Sequence, residues 1–201
     1  MVARRREESA RESRRLLLEA ATGLVAEAGP RAASVQAVAD RAGISRGSVA
    51  WHFGSKDGLI VEVIEHAFHR ACEEYRLRLP ETGPLTFDLL IDTHLAVIDA
   101  PCGRVFVTVL PEVMRGEGPL RDAYVSGYER TRGLWVGYLE RLVAQHPALP
   151  DAKDLATVVF GSGVGMNTLH SLDGLVDRKG AFTALKRLFE LAGDTAEHRP
   201  S

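Results

Sequence analysis

Apolar residues recur at helical spacing along almost the whole chain of 201 residues. In the first segment Leu17, Ala20 and Leu24 belong to one apolar face, and Gly29–Pro30 ends the pattern. Sustained alternation of apolar and polar residues, which half-buried strands require, is scarce. The sequence therefore predicts an all-α fold.

A pair of short helices follows the first one. Ser34 is suited to cap the first of them, which should end at Gly43, the residue type that best tolerates a left-handed conformation. Ser45 can cap the next helix only two residues later. Ile44 and Val49 flank that cap as a hydrophobic staple. Two short helices joined so tightly predict a helix-turn-helix.

Six further segments have helical spacing. They lie near residues 55–79, 86–99, 103–115, 119–145, 151–172 and 178–192. Pro111 is expected to kink or split the segment at 103–115, because proline has no N–H to donate within a helix. With that segment counted once the chain has nine helices. We expect a three-helix N-terminal domain, residues 1–56, and a helical body, residues 57–201, linked by the long helix at 55–79.

Composition favours a soluble intracellular protein. The 45% hydrophobic content is ample for a buried core, and two cysteines, Cys72 and Cys102, imply no disulfide framework. The chain has no run of 18 apolar residues, and the segment after the N-terminal arginines is too polar for a signal peptide. We expect a cytoplasmic location and no membrane partner.

Charge divides the chain at the predicted domain boundary. Residues 1–56 carry ten cations and six anions, a net +4, whereas the remainder carries 15 cations and 21 anions, a net −6, consistent with the formal total of −2. A basic N-terminal unit on an acidic body is typical of a module that binds a polyanion.

Two of these cations stand where a helix disfavours positive charge. Arg46 follows Ser45 and Lys56 follows Ser55, so each lies in the first turn of a predicted helix. A phosphate at the same helix ends would bind both the cation and the free N–H groups. Gly47 would let the helix approach a sugar–phosphate backbone closely.

The helical register then separates an inner from an outer face. Val49 and Phe53 should face the core. The outward residues combine positive charge, hydroxyl and aromatic groups suited to phosphates and base edges, and they are Arg46, Ser48, Trp51 and His52.

The stretch from Ser34 to Leu59, SVQAVADRAGISRGSVAWHFGSKDGL, resembles the DNA-binding signature of the tetracycline-repressor (TetR) family. In that family A-x-x-A-G-[VI]-S precedes the recognition helix and G-x-[LIV]-Y-x-H-F-x-[SN]-K-[DE]-x-L follows. The resemblance covers about the first third of the chain. It departs at Ala50, where the family usually has a tyrosine whose hydroxyl reaches the DNA backbone.

The resemblance implies a set of DNA-contacting residues. Ser34, His52 and Lys56 would touch phosphate, and Gln36, Arg46, Ser48 and Trp51 would approach bases. The full candidate set for DNA is Ser34, Gln36, Ser45, Arg46, Gly47, Ser48, Trp51, His52 and Lys56.

The last two helices resemble the dimer interface of the family, in which two helices from each protomer form a four-helix bundle. Small residues four positions apart let helices approach closely. The candidate interface residues are Thr157, Gly161, Gly165, Leu169, Phe182, Leu185 and Phe189. The alternative is that both helices pack inside one protomer.

An effector pocket is expected among the middle helices, where aromatic and apolar residues with a few polar groups would suit an apolar or aromatic molecule. The candidate lining is Phe87, Ile91, His94, Phe106, Val109, Met114, Tyr124, Tyr128, Trp135 and Met166. The alternative for each is an ordinary core residue.

A metal site or an enzyme would be an alternative class of function. Glu62, His66 and His69 have a spacing that could hold a metal ion, but Glu73 extends the same face, which favours a solvated stripe. The chain has no G-x-S-x-G elbow, phosphate-binding Gly-rich loop or Cys–His nucleophile context, so we expect no enzyme, catalytic residue or cofactor.

The resemblance implies a transcriptional regulator, and a repressor is the first expectation. It would bind palindromic operator DNA as a homodimer and be released by a small-molecule effector. The alternatives are a metal-responsive or ligand-independent DNA-binding regulator and, further off, a helical module that uses the Trp51 surface for a protein partner.

Overall fold

The computed structural model describes residues 2–146, 148–172, 174 and 176–194. These residues form nine α-helices and no strand, which confirms the predicted all-α fold. The helices are α1 (Val2–Ala28), α2 (Val35–Ala42), α3 (Arg46–Phe53), α4 (Lys56–Arg78), α5 (Phe87–Asp99), α6 (Pro101–Val113), α7 (Pro119–Gln145), α8 (Ala152–His170) and α9 (Arg178–Asp194).

The helices begin and end within about two residues of the predicted positions. The largest difference is at α6, which was predicted at 103–115 and lies at Pro101–Val113. It begins at Pro101 because a proline at the first helical position loses no hydrogen bond and has its φ already set. Pro111 does not split α6, since it lies near the end of the helix and only the last turn lacks its N–H.

The chain forms two compact units. The first contains the described residues of Met1–Ala71 and Ile98–Gly127, and the second those of Cys72–Val97 and Tyr128–Ser201. Both units include residues of the predicted helical body, and the domain boundary after residue 56 stays a prediction.

In the first unit α1 packs against α2, α3 and α6. Leu17, Val25, Val38 and Val49 are among the side chains buried there. The Phe68 ring stacks on Phe106 at 4.3 Å between ring centroids. Gly127 is required beside it, because a Cβ there would overlap the Phe68 ring.

The second unit has a core of aromatic side chains. Trp135, Tyr75 and Phe182 are among its largest fully buried residues. Arg141 fixes the loop between α4 and α5, donating from Nη1 to Pro80 O at 2.6 Å and from Nη2 to Gly83 O at 2.8 Å.

Two contacts hold α9 to α5 in this unit. The Phe87 and Phe189 rings stack with centroids 5.3 Å apart, and Lys186 forms an ion pair with Asp88.

Among the described residues no single helix is long and apolar enough to cross a membrane, although α5 and α6 taken together pass that test by length and composition.

Candidate nucleic-acid interface and effector core

The helix-turn-helix is built from the predicted caps. Ser34 Oγ accepts a hydrogen bond from Ala37 N at 3.1 Å and begins α2. Gly43 ends it at φ 65° and ψ 29°, and its N–H is directed at the carbonyls of Ala39 and Asp40. This is the left-handed conformation that only glycine adopts without strain.

The cap of α3 differs in detail from the prediction. Ser45 is the N-cap residue, but its side chain makes no capping bond to the backbone. Its Oγ lies 2.9 Å from Ser48 Oγ, so the two hydroxyls hold each other on the helix surface. At the next helix Ser55 Oγ accepts from Gly58 N at 3.0 Å.

The inner and outer faces of α3 are as predicted. Val49 and Phe53 are buried, whereas Trp51 is 72% exposed. The exposed indole offers an apolar ring face and an N–H donor to a partner. Ala50 is exposed beside it.

Arg14 supports this face from α1. Its guanidinium lies over the Phe53 ring, 5.4 Å from the centroid, and Arg14 Nη2 lies 2.7 Å from Glu62 Oε2. Burial lowers the pKa of the His52 side chain, and the positive charge of Arg14 lowers it further. His52 is therefore held neutral at pH 7.

Arg46 and Lys56 are the first residues of α3 and α4. Within the part of the chain that the structure describes, neither forms an ion pair with a carboxylate. By contrast, Arg41 donates to both carboxylate oxygens of Glu27, at 2.8 and 2.5 Å. Within the described residues the two cations predicted to bind an external anion thus have no carboxylate partner, and the same holds for Arg5 and Arg6 of α1.

The arginines of α1 are mostly engaged with carboxylates. Arg4 pairs with Glu8 at 3.0 Å, and Arg11 pairs with Glu7 at 3.7 Å. Arg15 binds both Glu12 and Glu19, at 2.5 and 2.6 Å. This part of the basic N-terminus is largely neutralised within its own helix.

The predicted DNA-contacting residues lie on α2, on α3, at the N-caps of these two helices and in the first turn of α4. Six of them are exposed, namely Ser34, Gln36, Ser45, Arg46, Gly47 and Trp51. The other three are half-buried, namely Ser48, His52 and Lys56. Gln36 is held by a hydrogen bond to Asp40 at 2.5 Å. Their contacts with DNA stay a prediction.

The predicted effector residues divide between the two units. Phe106, Val109, Met114 and Tyr124 belong to the first, and Phe87, Ile91, His94, Tyr128, Trp135 and Met166 to the second. Met114 is 77% exposed because α6 ends at Val113 and the chain turns into solvent there, so we leave it out of the proposed lining.

The second unit places His94 at the centre of its aromatic core. Tyr75 Oη lies 2.7 Å from His94 Nδ1. Rings of Trp135, Phe160 and Phe182 surround the imidazole edge-to-face, with centroids 5.0, 5.9 and 5.4 Å away. Burial lowers the pKa of His94 to about 4, so the ring is neutral at pH 7.

Sequence reasoning missed what makes this core unusual. His94 Nε2 and Trp135 Nε1 are buried and have no hydrogen-bond partner among the described residues. The sequence marked both side chains as pocket lining or ordinary core, and it gave no sign that their ring nitrogens lack a partner. Tyr75 and Phe160, which complete the cluster, lie at core positions of their helices and carried no separate signal.

The predicted interface residues of α8 are exposed in the protomer. Thr157, Gly161, Gly165 and Leu169 all face solvent. Three further apolar residues of the same segment are exposed with them, namely Val158, Val164 and Leu172. On α9, Leu188 and Leu191 are 63% and 64% exposed.

The remaining α9 candidates are placed differently. Leu185 and Phe189 are half-buried, and Phe182 is completely buried, with its ring against His94. Helical spacing put Phe182 on the same stripe as its neighbours, but its side chain belongs to the protomer core. We therefore leave it out of the proposed interface.

Glu62 is held in an ion pair with Arg14, as described above. Among the residues that the structure describes, no group of three or more His, Cys, Asp or Glu side chains could hold a metal ion.

The described residues are all helical or connecting and contain a helix-turn-helix, α2 and α3, an architecture that many DNA-binding regulators share. Residues 17–63 match the family described as "Bacterial regulatory proteins, tetR family". The chain is 34% identical over 128 residues to the HTH-type transcriptional repressor KstR2 of Rhodococcus jostii (strain RHA1), a match covering 62% of each protein. The chain thus spans about three fifths of that curated relative.

Solved structures extend the likeness to the fold of almost nine tenths of the chain. NemR of E. coli, in its reduced form, superposes with a TM-score of 0.74 at 18% identity, over 88% of this chain and 96% of that one. FadR of Bacillus subtilis, in complex with stearoyl-CoA, superposes with a TM-score of 0.66 at 18% identity, over 89% and 96%. The segment with the helix-turn-helix thus matches the tetR family, and the body of the chain is similar in fold to the solved structures.

Proposed function

We propose that this chain is a ligand-responsive transcriptional repressor that binds palindromic operator DNA as a homodimer and is released by a small-molecule effector. The observation that carries the proposal is the state of Arg46 and Lys56. Both lie in the first turn of a helix, where the helix dipole opposes their charge, and neither has a carboxylate partner within the described chain. A DNA phosphate would supply the missing anion.

The exposed indole of Trp51 lies on the same helix as Arg46. An α-helix fits the major groove, where an aromatic or methyl-contacting side chain and an arginine can read base edges. This arrangement supports α3 as the recognition helix.

Dimerisation is supported by the exposed apolar side chains of α8 and α9. An apolar surface of this kind is costly in water and is typical of an interface between protomers. A twofold dimer would present two copies of α3 to half-sites about 34 Å apart, one turn of the double helix.

The effector would act through α4. This helix contains Lys56 at its start and Tyr75, the partner of His94, near its end. A ligand that displaces Tyr75 would tilt α4 and move the DNA-reading helices away from the groove spacing. FadR, which shares the fold, was solved with a bound small molecule, and this precedent supports a ligand-responsive body.

The test is direct binding to DNA. Genomic fragments retained by the purified protein are sequenced, and a labelled duplex carrying the enriched site is titrated by fluorescence anisotropy at several salt concentrations. We expect a palindromic site and an affinity that falls steeply with salt. The Arg46→Ala/Lys56→Ala double variant should lose most of this binding.

Arg11→Ala is the matched control, because Arg11 is an exposed cation that already pairs with Glu7. It should bind the duplex nearly as the wild type does. The proposal is refuted when the wild type binds no DNA even at low salt, or when the double variant binds as tightly as Arg11→Ala.

A further inference from the structure

Two ring nitrogens in the core of the second unit are buried without a partner. His94 Nε2 and Trp135 Nε1 make no hydrogen bond within the described residues, and their rings lie edge-to-face with centroids 5.0 Å apart. A buried polar group without a partner is destabilising, and folded proteins keep few of them. Two in one cluster require an explanation.

The hydrogen bond between Tyr75 and His94 decides which hydrogens the two unsatisfied nitrogens carry. Tyr75 Oη lies 2.7 Å from His94 Nδ1, and the imidazole is neutral at pH 7. The donor in this bond depends on the tautomer of the ring, and with Tyr75 as the donor to Nδ1 the ring hydrogen lies on Nε2. The indole Nε1 is a donor in either tautomer. With Tyr75 donating, both unsatisfied groups are N–H donors that need an acceptor.

The aromatic rings around His94 carry no charge, and burial alone lowers the pKa of this imidazole. The rings in contact with His94 besides Trp135 are those of Tyr75, Phe160 and Phe182. A carboxylate or phosphate placed here would lose its hydration without gaining a cation, which is costly. A neutral acceptor such as a carbonyl oxygen would satisfy the donors without that loss.

Gly163 of α8 lies against His94 Nε2. A Cβ at Gly163 would lie 3.2 Å from His94 Nε2 and 3.7 Å from Phe182 Cζ. Glycine at this position thus keeps a side chain away from the unsatisfied nitrogen. A larger residue would crowd the place where an acceptor has to lie.

We infer that His94 and Trp135 form the polar end of the effector site and bind the carbonyl oxygen of a neutral, planar, ring-containing molecule. The aromatic walls suit a flat ring, which they would contact edge-to-face or stacked. This inference rests on the proposed function, and it names the chemical class of the effector.

The two tryptophans of the chain make the test specific. Trp51 is 72% exposed and Trp135 fully buried, so a ¹H–¹⁵N spectrum should show two distinct indole N–H resonances, which the Trp51→Phe variant assigns. Three probes share one benzene ring: acetophenone has a carbonyl, ethylbenzene has no acceptor and benzoate is an anion. They are added at up to about 10 mM, above the millimolar affinity expected for ligands of so few atoms.

Acetophenone should shift the Trp135 resonance with saturation, while ethylbenzene and benzoate leave it nearly unchanged. Trp135→Phe keeps a ring but removes the donor, and saturation-transfer measurements should show acetophenone binding about fivefold more weakly. Gly163→Ala should weaken binding as well. Gly137→Ala is the matched control, since a Cβ at this exposed helical glycine meets nothing within 4 Å.

Three results overturn the inference: no Trp135 shift with acetophenone, an equal shift with ethylbenzene, or tighter binding of benzoate. The DNA-binding assay is run separately on the same preparation. A protein that binds its operator but shows one of these results retains the proposed function and loses the assigned effector class. A protein that binds acetophenone as expected but no DNA refutes the proposed function instead.

Discussion

Arg14 of α1 and Glu62 of α4 form an ion pair of 2.7 Å between Nη2 and Oε2, and the same guanidinium covers the ring of Phe53 from α3. One side chain thus connects the three helices that position the DNA-reading surface. Arg14 also pairs with the carboxylate of Glu62, which the sequence pattern suggested as a metal ligand.

From this contact we expect Arg14→Ala to lower the free energy of unfolding by about 1 kcal/mol, the sum of a partly exposed ion pair and a cation–π contact. The salt dependence of DNA binding should hardly change, because Arg14 is already paired. Urea denaturation and anisotropy measure the two effects. Arg11→Ala, which removes only a 3.7 Å surface pair, should leave the stability within about 0.5 kcal/mol.

A second prediction distinguishes the roles of Arg46 and Lys56 in DNA binding. Lys56→Ala should weaken binding to every sequence and lower the salt slope by about one, because Lys56 would hold a phosphate. Arg46→Ala should cost about 1–3 kcal/mol on the operator and relax base preference at one or two positions. Competition assays with specific and random duplexes distinguish the two. Equal losses on both kinds of DNA from both variants would contradict these roles.

The third prediction concerns the dimer. Gly165 is exposed on α8, and a Cβ there meets nothing within 4 Å in the protomer, so Gly165→Leu should not harm the folded protomer. At an interface where backbones approach closely, the same leucine should cost about 1–3 kcal/mol. We expect sedimentation to show dissociation at low micromolar concentration.

Gly137→Leu is the control for this experiment, because Gly137 is equally open but lies on α7. It should remain dimeric. A dimer unaffected by Gly165→Leu would move the interface elsewhere, and a monomeric wild type would remove the dimer itself.

The fourth prediction uses the buried imidazole. The pKa of His94 falls from an ordinary 6.5 to about 4 in the folded chain, so the unfolded state takes up the proton first as the pH drops. The stability due to the neutral ring is complete above pH 6.5 and is lost as the pH falls toward 4, by about 3 kcal/mol in all. Urea denaturation between pH 7 and pH 4.5 should show a steeper loss for the wild type than for His94→Gln. Parallel curves would show that His94 is already accessible to protons.

The sequence predicted the parts of this protein that local chemistry determines. The serine caps and the left-handed Gly43 need only their near neighbours, so the helix-turn-helix could be predicted almost residue by residue. Tertiary packing decided the rest. Helical spacing placed Phe182 and Leu185 on the same face of α9. Only Phe182 is fully buried, because burial depends on helices that are distant in sequence. The missing partners of His94 and Trp135 likewise become visible only once their neighbours are in place.

The last prediction concerns Ala50, which stands where the family usually has a tyrosine that bonds the DNA backbone. Ala50 is exposed on α3 between buried Val49 and outward Trp51, so a longer side chain has room there. Ala50→Tyr should raise operator affinity by roughly 0.5–1.5 kcal/mol, the net contribution of one hydrogen bond, without changing base preference.

We further expect the N-terminal arginines to offset the missing contact in the wild type through sequence-independent phosphate contacts. The structure narrows the candidates: Arg14 and Arg15 are engaged with carboxylates, whereas Arg5 and Arg6 form no ion pair within the described chain. Deleting residues 2–8 should therefore weaken DNA binding of the wild type more than that of Ala50→Tyr, as measured by anisotropy. If Ala50→Tyr abolishes binding instead, the position touches DNA closely and needs a small side chain, and α3 then lies in the groove differently from the recognition helices it resembles.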